Sequence, residues 1–229
     1  MNICLIPARG GSKRIPRKNI KEFNGKPIMV YSIEAAIKSE CFNRIIVSTD
    51  DDEIADIAIN NGAEVPFMRP KNLGDDFTST AKVVEHSIKY YKDLGVYYKY
   101  ACVVYPTAPL LESKYITSGY KKLKDSDAVY AFSATSMPFP VQRSFAIDVN
   151  GRCRMFNPEH FYTRSQDLEN SYQDAGQFYW RDVERAENNN KITFSDIGIP
   201  ILIPRHLVQD IDTEEDWKTA EYLYKAVYK

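Results

Sequence analysis

The segment with the densest chemical signal follows the first apolar run of the sequence. Residues 7–19 read Pro-Ala-Arg-Gly-Gly-Ser-Lys-Arg-Ile-Pro-Arg-Lys-Asn. Glycine lets a ligand approach the main chain closely, so we expect Gly10 and Gly11 to offer their amides to phosphates. Four cations would offset the charge of three phosphates: Lys13, Arg14, Arg17 and Lys18. The segment therefore predicts an anion-binding loop, while a solvated basic turn is the alternative for any one of these cations.

This loop differs from two well-known phosphate-binding motifs. The sequence contains no G-x-x-x-x-G-K-[ST] and no G-x-G-x-x-G that leads into a helix. The missing glycine fingerprint argues against an NAD-dependent oxidoreductase, which the fold alone would permit. The histidines His86, His160 and His206 are far apart in the sequence, which disfavours a zinc site.

The acidic pair Asp210 and Asp212 is the second candidate site. Alternate side chains of an extended segment lie on the same side, so the two carboxylates could hold a magnesium ion that also binds phosphate. The alternative is helix capping, because Asp212 directly precedes Thr213 and an acidic helix start. The pattern alone supports both interpretations equally, and the basic loop elsewhere in the chain favours the metal.

Composition excludes several other classes of function. The 229 residues include 30 basic and 31 acidic side chains, a net charge of -1, so no global positive field would recruit nucleic acid. An RNA-binding module would show affinity that falls steeply with salt, and the charge balance argues against it. No run of about 20 apolar residues predicts a membrane helix, and Met1-Asn2 leads directly into a strand. With four scattered cysteines and no C-x-x-C pair, we expect a cytoplasmic protein.

Secondary-structure signals alternate regularly along the first part of the chain. Apolar runs predict strands at 3–6, 44–48, 64–67, 101–105 and 128–132, and amphipathic segments predict helices at 27–40, 51–60, 79–92 and 113–124. A last strand at 199–203 precedes a C-terminal helix. The alternation indicates an α/β fold with a doubly wound, mostly parallel sheet and right-handed crossovers. Ligands bind at the carboxyl ends of such strands, where the loop 7–19 would lie.

The alternation breaks between residues 135 and 170. Prolines and an Asn150-Gly151 turn signal predict a hairpin between 144–148 and 152–156. Six apolar groups accompany the hairpin: Phe139, Phe145, Met155, Phe156, Phe161 and Tyr162. Such a patch favours a subunit contact over a poorly ordered loop. We therefore expect an α/β domain formed by 1–134 and 171–229, with an inserted element at 135–170 that makes a subunit contact.

Several segments together resemble the acylneuraminate cytidylyltransferase family. They lie in family order along nearly the whole chain: Ile6–Asn19, Arg44–Asp50, Arg69-Pro70, Pro106–Leu110 and Asp210–Asp216. Members of the family join nine-carbon α-keto acid sugars to CMP. The resemblance implies a Rossmann-like nucleotidyltransferase fold, CTP and a nonulosonic acid as substrates, and Mg²⁺ as cofactor.

The resemblance also implies roles for individual residues. The implied catalytic residues are Arg9, Lys13, Lys18 and Asp210. The implied nucleotide-binding residues are Ser12, Asn19, Arg69 and Thr80. Asp210 and Asp212 match the magnesium-binding pair, which supports the metal interpretation. Arg164 matches a residue of the insert that reaches the neighbouring subunit's site, so the resemblance implies a homodimer.

The residues near the expected sugar site depart from the sialic-acid members of this family. Tyr105 and Leu111 replace a glutamine and an arginine, and Gln-Asp-Ala-Gly at 173–176 replaces Arg-Pro-Asn-Gly. Losing an arginine and gaining a carboxylate would weaken recognition of a substrate carboxylate in its usual pose. Tyr105 and the segment 172–180 instead resemble the branch that acts on pseudaminic acid, a stereoisomeric sugar with two acylamino groups.

That narrower resemblance implies a specific reaction. CTP and pseudaminic acid would give CMP-pseudaminic acid and pyrophosphate, for glycosylation of bacterial surface structures or flagellin. The implied sugar-binding residues are Tyr105, Arg164, Gln173, Asp174 and Gln177. The alternatives are legionaminic acid, N-acetylneuraminic acid or the eight-carbon lipopolysaccharide acid as the sugar.

Overall fold

The computed structural model describes residues 1–74 and 78–228. The strands in chain order are β1 (Asn2–Pro7), β2 (Glu22–Phe23), β3 (Lys26–Pro27), β4 (Arg44–Ser48), β5 (Tyr100–Val104), β6 (Tyr130–Ser136), β7 (Phe145–Ile147), β8 (Cys153–Met155), β9 (Tyr172–Asp182) and β10 (Gly198–Leu202). The α-helices are α1 (Ile28–Lys38), α2 (Asp52–Asn60), α3 (Thr80–Asp93), α4 (Ser113–Lys124), α5 (Val183–Glu187) and α6 (Glu214–Tyr228).

A six-stranded sheet with the order β10-β6-β9-β5-β1-β4 forms the centre of the fold. β1 pairs in parallel with β4 and β5, and β10 pairs in parallel with β6. The long strand β9 lies antiparallel between β5 and β6. The predicted α/β fold with a mostly parallel sheet is confirmed, although the sequence pattern did not predict β9.

Helices cover both faces of this sheet. Successive side chains of a strand point to opposite faces, and in the central strands both sets are apolar. In β1, Ile3 and Leu5 face one side and pack with α3, where Val84 is buried in the same cluster. Cys4 and Ile6 face the other side, in a larger core that includes α1 and α4. Burying each large apolar side chain stabilises the fold by about 1.5 to 3 kcal/mol.

The predicted helices begin and end within two residues of α1 to α4. The predicted strand at 64–67 is wrong, because this segment touches the sheet only through single bridges, Ile46 with Glu64 and Thr49 with Met68. Pro66 has no amide to donate, which prevents a continuous ladder at this edge.

A smaller core joins the two ends of the chain. It contains seven buried residues from the loop after β1, from α1, and from α6 with the segment before it: Ile15, Phe23, Ile28, Tyr31, Ile211, Trp217 and Ala220. The Phe23 ring lies edge-on to Tyr31 and Trp217, with centroid distances of 5.6 and 5.5 Å. Edge-to-face pairs add about 0.5 to 1.5 kcal/mol each to the burial of their area. This terminal core therefore fixes the C-terminal segment against the loop after β1.

The insert contains the predicted hairpin, formed by β7 and β8. Gly151, at φ +75°, lies in its turn, in a backbone conformation that favours glycine. Phe139, Phe145 and Tyr162 are exposed on the surface of the insert. The division into a catalytic domain and a dimerisation element remains a prediction. Within the described ranges, every helix is too short or too polar to span a membrane.

Candidate active site

A cleft of about 360 Å³ opens at the carboxyl ends of β1 and β5. Seven residues predicted to act on substrates line it: Arg9, Ser12, Lys18, Asn19, Arg69, Thr80 and Tyr105. They come from four separate segments of the sequence, and the parallel strands bring their loops to the same edge of the sheet.

Buried polar contacts hold the loop after β1 in place. Asn19 is 6% exposed, and its Nδ2 donates a hydrogen bond to the carbonyl of Arg9 at 2.9 Å. The Gly10 amide donates to Oδ1 of Asp50 at 3.0 Å, so it is engaged within the protein. The expectation that both glycine amides face phosphate is therefore wrong for Gly10 in this structure. Gly11 differs, because a Cβ at this position would meet no described atom within 4 Å.

Arg17 anchors the loop to α2. Its φ is 55°, in the left-handed region, and its guanidinium bonds the carboxylates of Asp51 and Glu53. Asp51 also caps α2 by accepting from the Ile54 amide at 3.0 Å. The hydrogen bond from Arg17 lowers the pKa of Asp51 below its usual range. Arg17 thus has a structural partner, in contrast to its expected role beside phosphate.

The acidic pair lies against this loop. Lys18 Nζ is 2.5 Å from the carbonyl oxygen of Ile211 and 3.4 Å from Oδ1 of Asp212. Arg14 Nη2 lies 2.8 Å from the same carboxylate oxygen. The Ile211 side chain is fully buried in the terminal core, so its neighbours Asp210 and Asp212 project on the opposite side of the extended segment.

Helix capping does not occupy these two carboxylates. At the start of α6, the Thr213 hydroxyl accepts from the Asp216 amide at 3.2 Å, and Asp216 Oδ2 accepts from the Thr213 amide at 2.8 Å. This reciprocal pair is a capping box, so the alternative role proposed for Asp212 is wrong. Burial and the nearby charge of Asp212 raise the pKa of Asp210, while Lys18 opposes the rise. No larger cluster of possible metal ligands occurs among residues 1–74 and 78–228.

A bulge in β9 forms a second wall of the site. In the pairing of β6 with β9, Phe132 lies opposite Tyr179, whereas Ala134 lies opposite Asp174. Residues 175–178 of β9 therefore bulge outward opposite Ser133. The Ser133 hydroxyl accepts from two amides of the bulge at 3.1 Å each. Gly176, at φ +61°, brings the bulge beside the acidic pair, since a Cβ at this glycine would lie 4.0 Å from Oδ1 of Asp210.

A chain of polar contacts connects this bulge to the cleft. The Tyr179 hydroxyl donates to Oδ2 of Asp174 at 2.5 Å. The Tyr179 ring packs on Tyr105 with centroids 5.3 Å apart, and the Tyr105 hydroxyl is 3.5 Å from Oγ1 of Thr80. Burial and the Asp174 carboxylate raise the pKa of Tyr179 far above its usual range. Sequence analysis did not select Tyr179 as a site residue, although it lies in the segment 172–180 that carries the resemblance.

The remaining predicted residues lie outside the cleft walls. Gln177 is 2% exposed, and its Nε2 donates to the Leu207 carbonyl at 2.6 Å. Gln173 is exposed on β9, where it pairs with Thr135. Lys13 is exposed on the loop. Arg164 is exposed in the insert and pairs with Asp167 at 2.6 Å.

These features define a nucleotide-binding α/β protein with its ligand cleft at the carboxyl edge of the sheet. Residues 3–197 match the family model described as cytidylyltransferase, and the chain belongs to this family. The matched range ends before Asp210. The proposal that the acidic pair belongs to the site therefore rests on the structure and the sequence pattern, not on this match.

Relatives of known function cover almost the whole chain. It is 42% identical over 224 residues to a pseudaminic acid cytidylyltransferase of Campylobacter jejuni, covering 98% of this chain and 96% of that protein. It is 31% identical to a CMP-N,N'-diacetyllegionaminic acid synthase of Legionella pneumophila, covering 96% and 95%. A solved CMP:2-keto-3-deoxy-manno-octonic acid synthetase in complex with CTP superposes with a TM-score of 0.70 at 15% identity, covering 99% of both chains, which confirms the fold.

Proposed function

We propose that this cytidylyltransferase joins CTP and pseudaminic acid to give CMP-pseudaminic acid and pyrophosphate. One observation carries the proposal: Lys18 of the basic loop contacts the carbonyl between the two aspartates at 2.5 Å. The proposed phosphate-binding loop and the acidic pair are therefore in contact, although they lie far apart in the sequence, and this supports a shared site. The product would supply an activated sugar for bacterial surface glycans or flagellin.

In the proposed reaction, the anomeric hydroxyl of the sugar attacks the α-phosphorus of CTP, and pyrophosphate leaves. Arg9 and Lys18 line the cleft, and Lys13 lies on the exposed side of the same loop. Their positive charges would offset the charge that grows on the leaving pyrophosphate. Since phosphoryl transfer requires little covalent chemistry from the protein, positioning and electrostatics would supply most of the rate acceleration.

The acidic pair fits a divalent cation, for which we propose Mg²⁺. Asp210 and Asp212 offer hard carboxylate oxygens, which this ion prefers together with substrate phosphates. The raised pKa of Asp210 supports this fit, because it indicates a carboxylate that lacks full compensation by nearby positive charge. When bound, the ion would neutralise phosphate charge and lower the pKa of the attacking hydroxyl. The buried Ile211 side chain keeps both carboxylates turned toward the loop.

We propose that the sugar lies between the β9 bulge and Tyr105. Tyr105, Gln173 and Asp174 would contact it, and the buried Gln177 would support the bulge from behind. The similarity to the Campylobacter jejuni relative favours pseudaminic acid. Legionaminic acid is the second candidate, because a synthase for a diacetylated form of that sugar also matches nearly the full chain.

We also propose that the enzyme is a homodimer that works in the cytoplasm. The insert exposes several large apolar side chains, which a second copy would cover: Phe139, Phe145, Phe156, Phe161 and Tyr162. Arg164 lies on this insert, so it could complete the sugar site of the partner subunit. The four cysteines are unpaired in the described residues, as expected in a reducing compartment that also contains CTP.

Pyrophosphate release tests the proposal directly. Each of the four nucleoside triphosphates is offered with pseudaminic, legionaminic and N-acetylneuraminic acids, with Mg²⁺ or with a chelator. We expect turnover with CTP and pseudaminic acid, and loss of turnover in the chelator. Higher kcat/KM for another sugar would contradict the proposed substrate, and activity without a divalent ion would contradict the role of the acidic pair. Light scattering of the purified protein tests the dimer.

A further inference from the structure

The Asp174 carboxylate retains hydrogen-bonding capacity beside the cleft. Its Oδ1 accepts from the Gly176 amide at 2.9 Å, and its Oδ2 accepts from the Tyr179 hydroxyl at 2.5 Å. A carboxylate offers about four acceptor positions, so about two remain open. The Asp174 side chain is also exposed. It can therefore accept further hydrogen bonds from a ligand without giving up its contacts within the protein.

Tyr179 adds a second hydrogen-bond acceptor beside Asp174. Its hydroxyl remains protonated at working pH, because burial and Asp174 raise its pKa. Its single proton is directed to Asp174, so only the lone pairs of its oxygen are available to a ligand. A ligand group that faces Asp174 and Tyr179 must consequently donate hydrogen bonds.

Asp174 and Tyr179 lie between the nucleotide cleft and the acidic pair. Tyr179 packs on Tyr105, which lines the nucleotide cleft. Gly176, two residues after Asp174, lies against Asp210. A sugar whose anomeric hydroxyl approaches the phosphate near the acidic pair would thus have its ring substituents beside Asp174. The negative charge of Asp174 would repel the carboxylate of that sugar, which must then point elsewhere.

We infer that Asp174 selects the sugar by accepting the N–H of an acylamino group, and that Tyr179 is a positioning residue that holds this carboxylate. The inference rests on the proposed function and specifies its substrate class. A sugar with two acylamino groups offers one amide donor more than N-acetylneuraminic acid does. A site that bonds a substrate N–H discriminates against analogues that lack it, because the bound sugar then covers Asp174 and displaces its water without pairing its open acceptor positions.

The test compares Asp174→Asn with the wild type, using pyrophosphate release with CTP and pseudaminic acid. The substitution replaces a charged acceptor by a neutral amide with its own N–H donors, which weakens or removes the hydrogen bond from the sugar N–H, so the KM for the sugar should rise about tenfold or more. The KM for CTP should change by less than about twofold, since the hydrogen bonds of Asp174 go to Gly176 and Tyr179 and not to the loop after β1. The preference for pseudaminic acid over N-acetylneuraminic acid, as a ratio of kcat/KM values, should fall.

A matched control is Asp196→Asn, which removes an exposed carboxylate that pairs with Lys191 at 2.6 Å. This variant should leave both KM values unchanged. Tyr179→Phe keeps the ring contact with Tyr105 and should raise the KM for the sugar less than Asp174→Asn does. Combining the two substitutions should add nothing further, because the Tyr179 hydroxyl acts through Asp174. Additive effects would overturn the positioning role of Tyr179.

The outcomes separate this inference from the proposed function. Absence of wild-type turnover with CTP and pseudaminic acid would overturn the proposed function and the inference with it. An active wild type and an Asp174→Asn variant with the same sugar KM and the same preference would overturn the inference alone. Equal increases in the KM for CTP and for the sugar would show a general distortion of the site, which also overturns it. Thermal melting of each variant verifies that it is folded.

Discussion

Gly10 and Gly11 are adjacent in the sequence, yet the structure predicts opposite consequences for their replacement by alanine. A Cβ at Gly10 would lie 2.6 Å from Oδ2 of Asp51 and 3.0 Å from its Cβ. Separations this short force a movement of Asp51, which caps α2 and binds Arg17. Forcing an extra methyl group into a packed position typically costs about 1 to 3 kcal/mol. A Cβ at Gly11 would meet no described atom within 4 Å.

The measurement is thermal unfolding of the two variants without ligands. For a chain of this size, the expected loss lowers the Tm of Gly10→Ala by roughly 2 to 12 °C. Gly11→Ala should change the stability by less than about 0.5 kcal/mol, as is usual for surface substitutions. A higher KM for CTP in the stable Gly11→Ala variant would support close approach of phosphate to this residue. Equal stability of the two variants would refute the steric argument.

Three further predictions concern the acidic pair and its support. A carboxylate with a raised pKa destabilises the fold above that pKa, and the effect disappears as the pH falls toward the ordinary value of 3.8. Asp210→Asn should therefore raise the Tm of the metal-free protein at neutral pH while abolishing turnover, and melting curves from pH 4 to 8 check this. Ile211→Ala should cost about 2 to 5 kcal/mol in urea unfolding, because its side chain is fully buried. Lys18→Ala should lower kcat by about 10² to 10³ with little change in Tm, as measured by pyrophosphate release; unchanged kcat would remove Lys18 from the mechanism.

The elements that depend on local signals could be predicted from the sequence. The helix bounds follow from amphipathic spacing, to within two residues, although the cap of α2 is Asp51, which the pattern placed inside the helix. The loop after β1 was recognisable from its glycines and cations. Asp210 and Asp212 could be proposed as a pair, but the pattern alone could not exclude capping. The contact between Thr213 and Asp216 excludes the capping role for Asp212, and the metal role remains a prediction.

Features that depend on distant contacts could not be predicted. The strand β9 begins with polar residues and contains a bulge at Gly176, so its apolar alternation is interrupted. The pairing of Arg17 with Asp51 depends on how the loop folds over α2. Gln177 looks like a polar site residue in the sequence, yet it is buried, with its backbone amide donating to the Ser133 hydroxyl and its Nε2 donating to the Leu207 carbonyl. In each case the sequence identifies the residue type, and only tertiary structure identifies its partner.

The contact between Arg14 and Asp212 joins residues 198 positions apart. During synthesis the basic loop leaves the ribosome before its acidic partner, which follows 198 residues later. At synthesis rates of about 5 to 20 residues per second, roughly 10 to 40 s separate the two events. A nascent chain therefore remains without this contact until residue 212 has emerged, and a protein clipped before residue 210 would lose both carboxylates while keeping the entire central sheet.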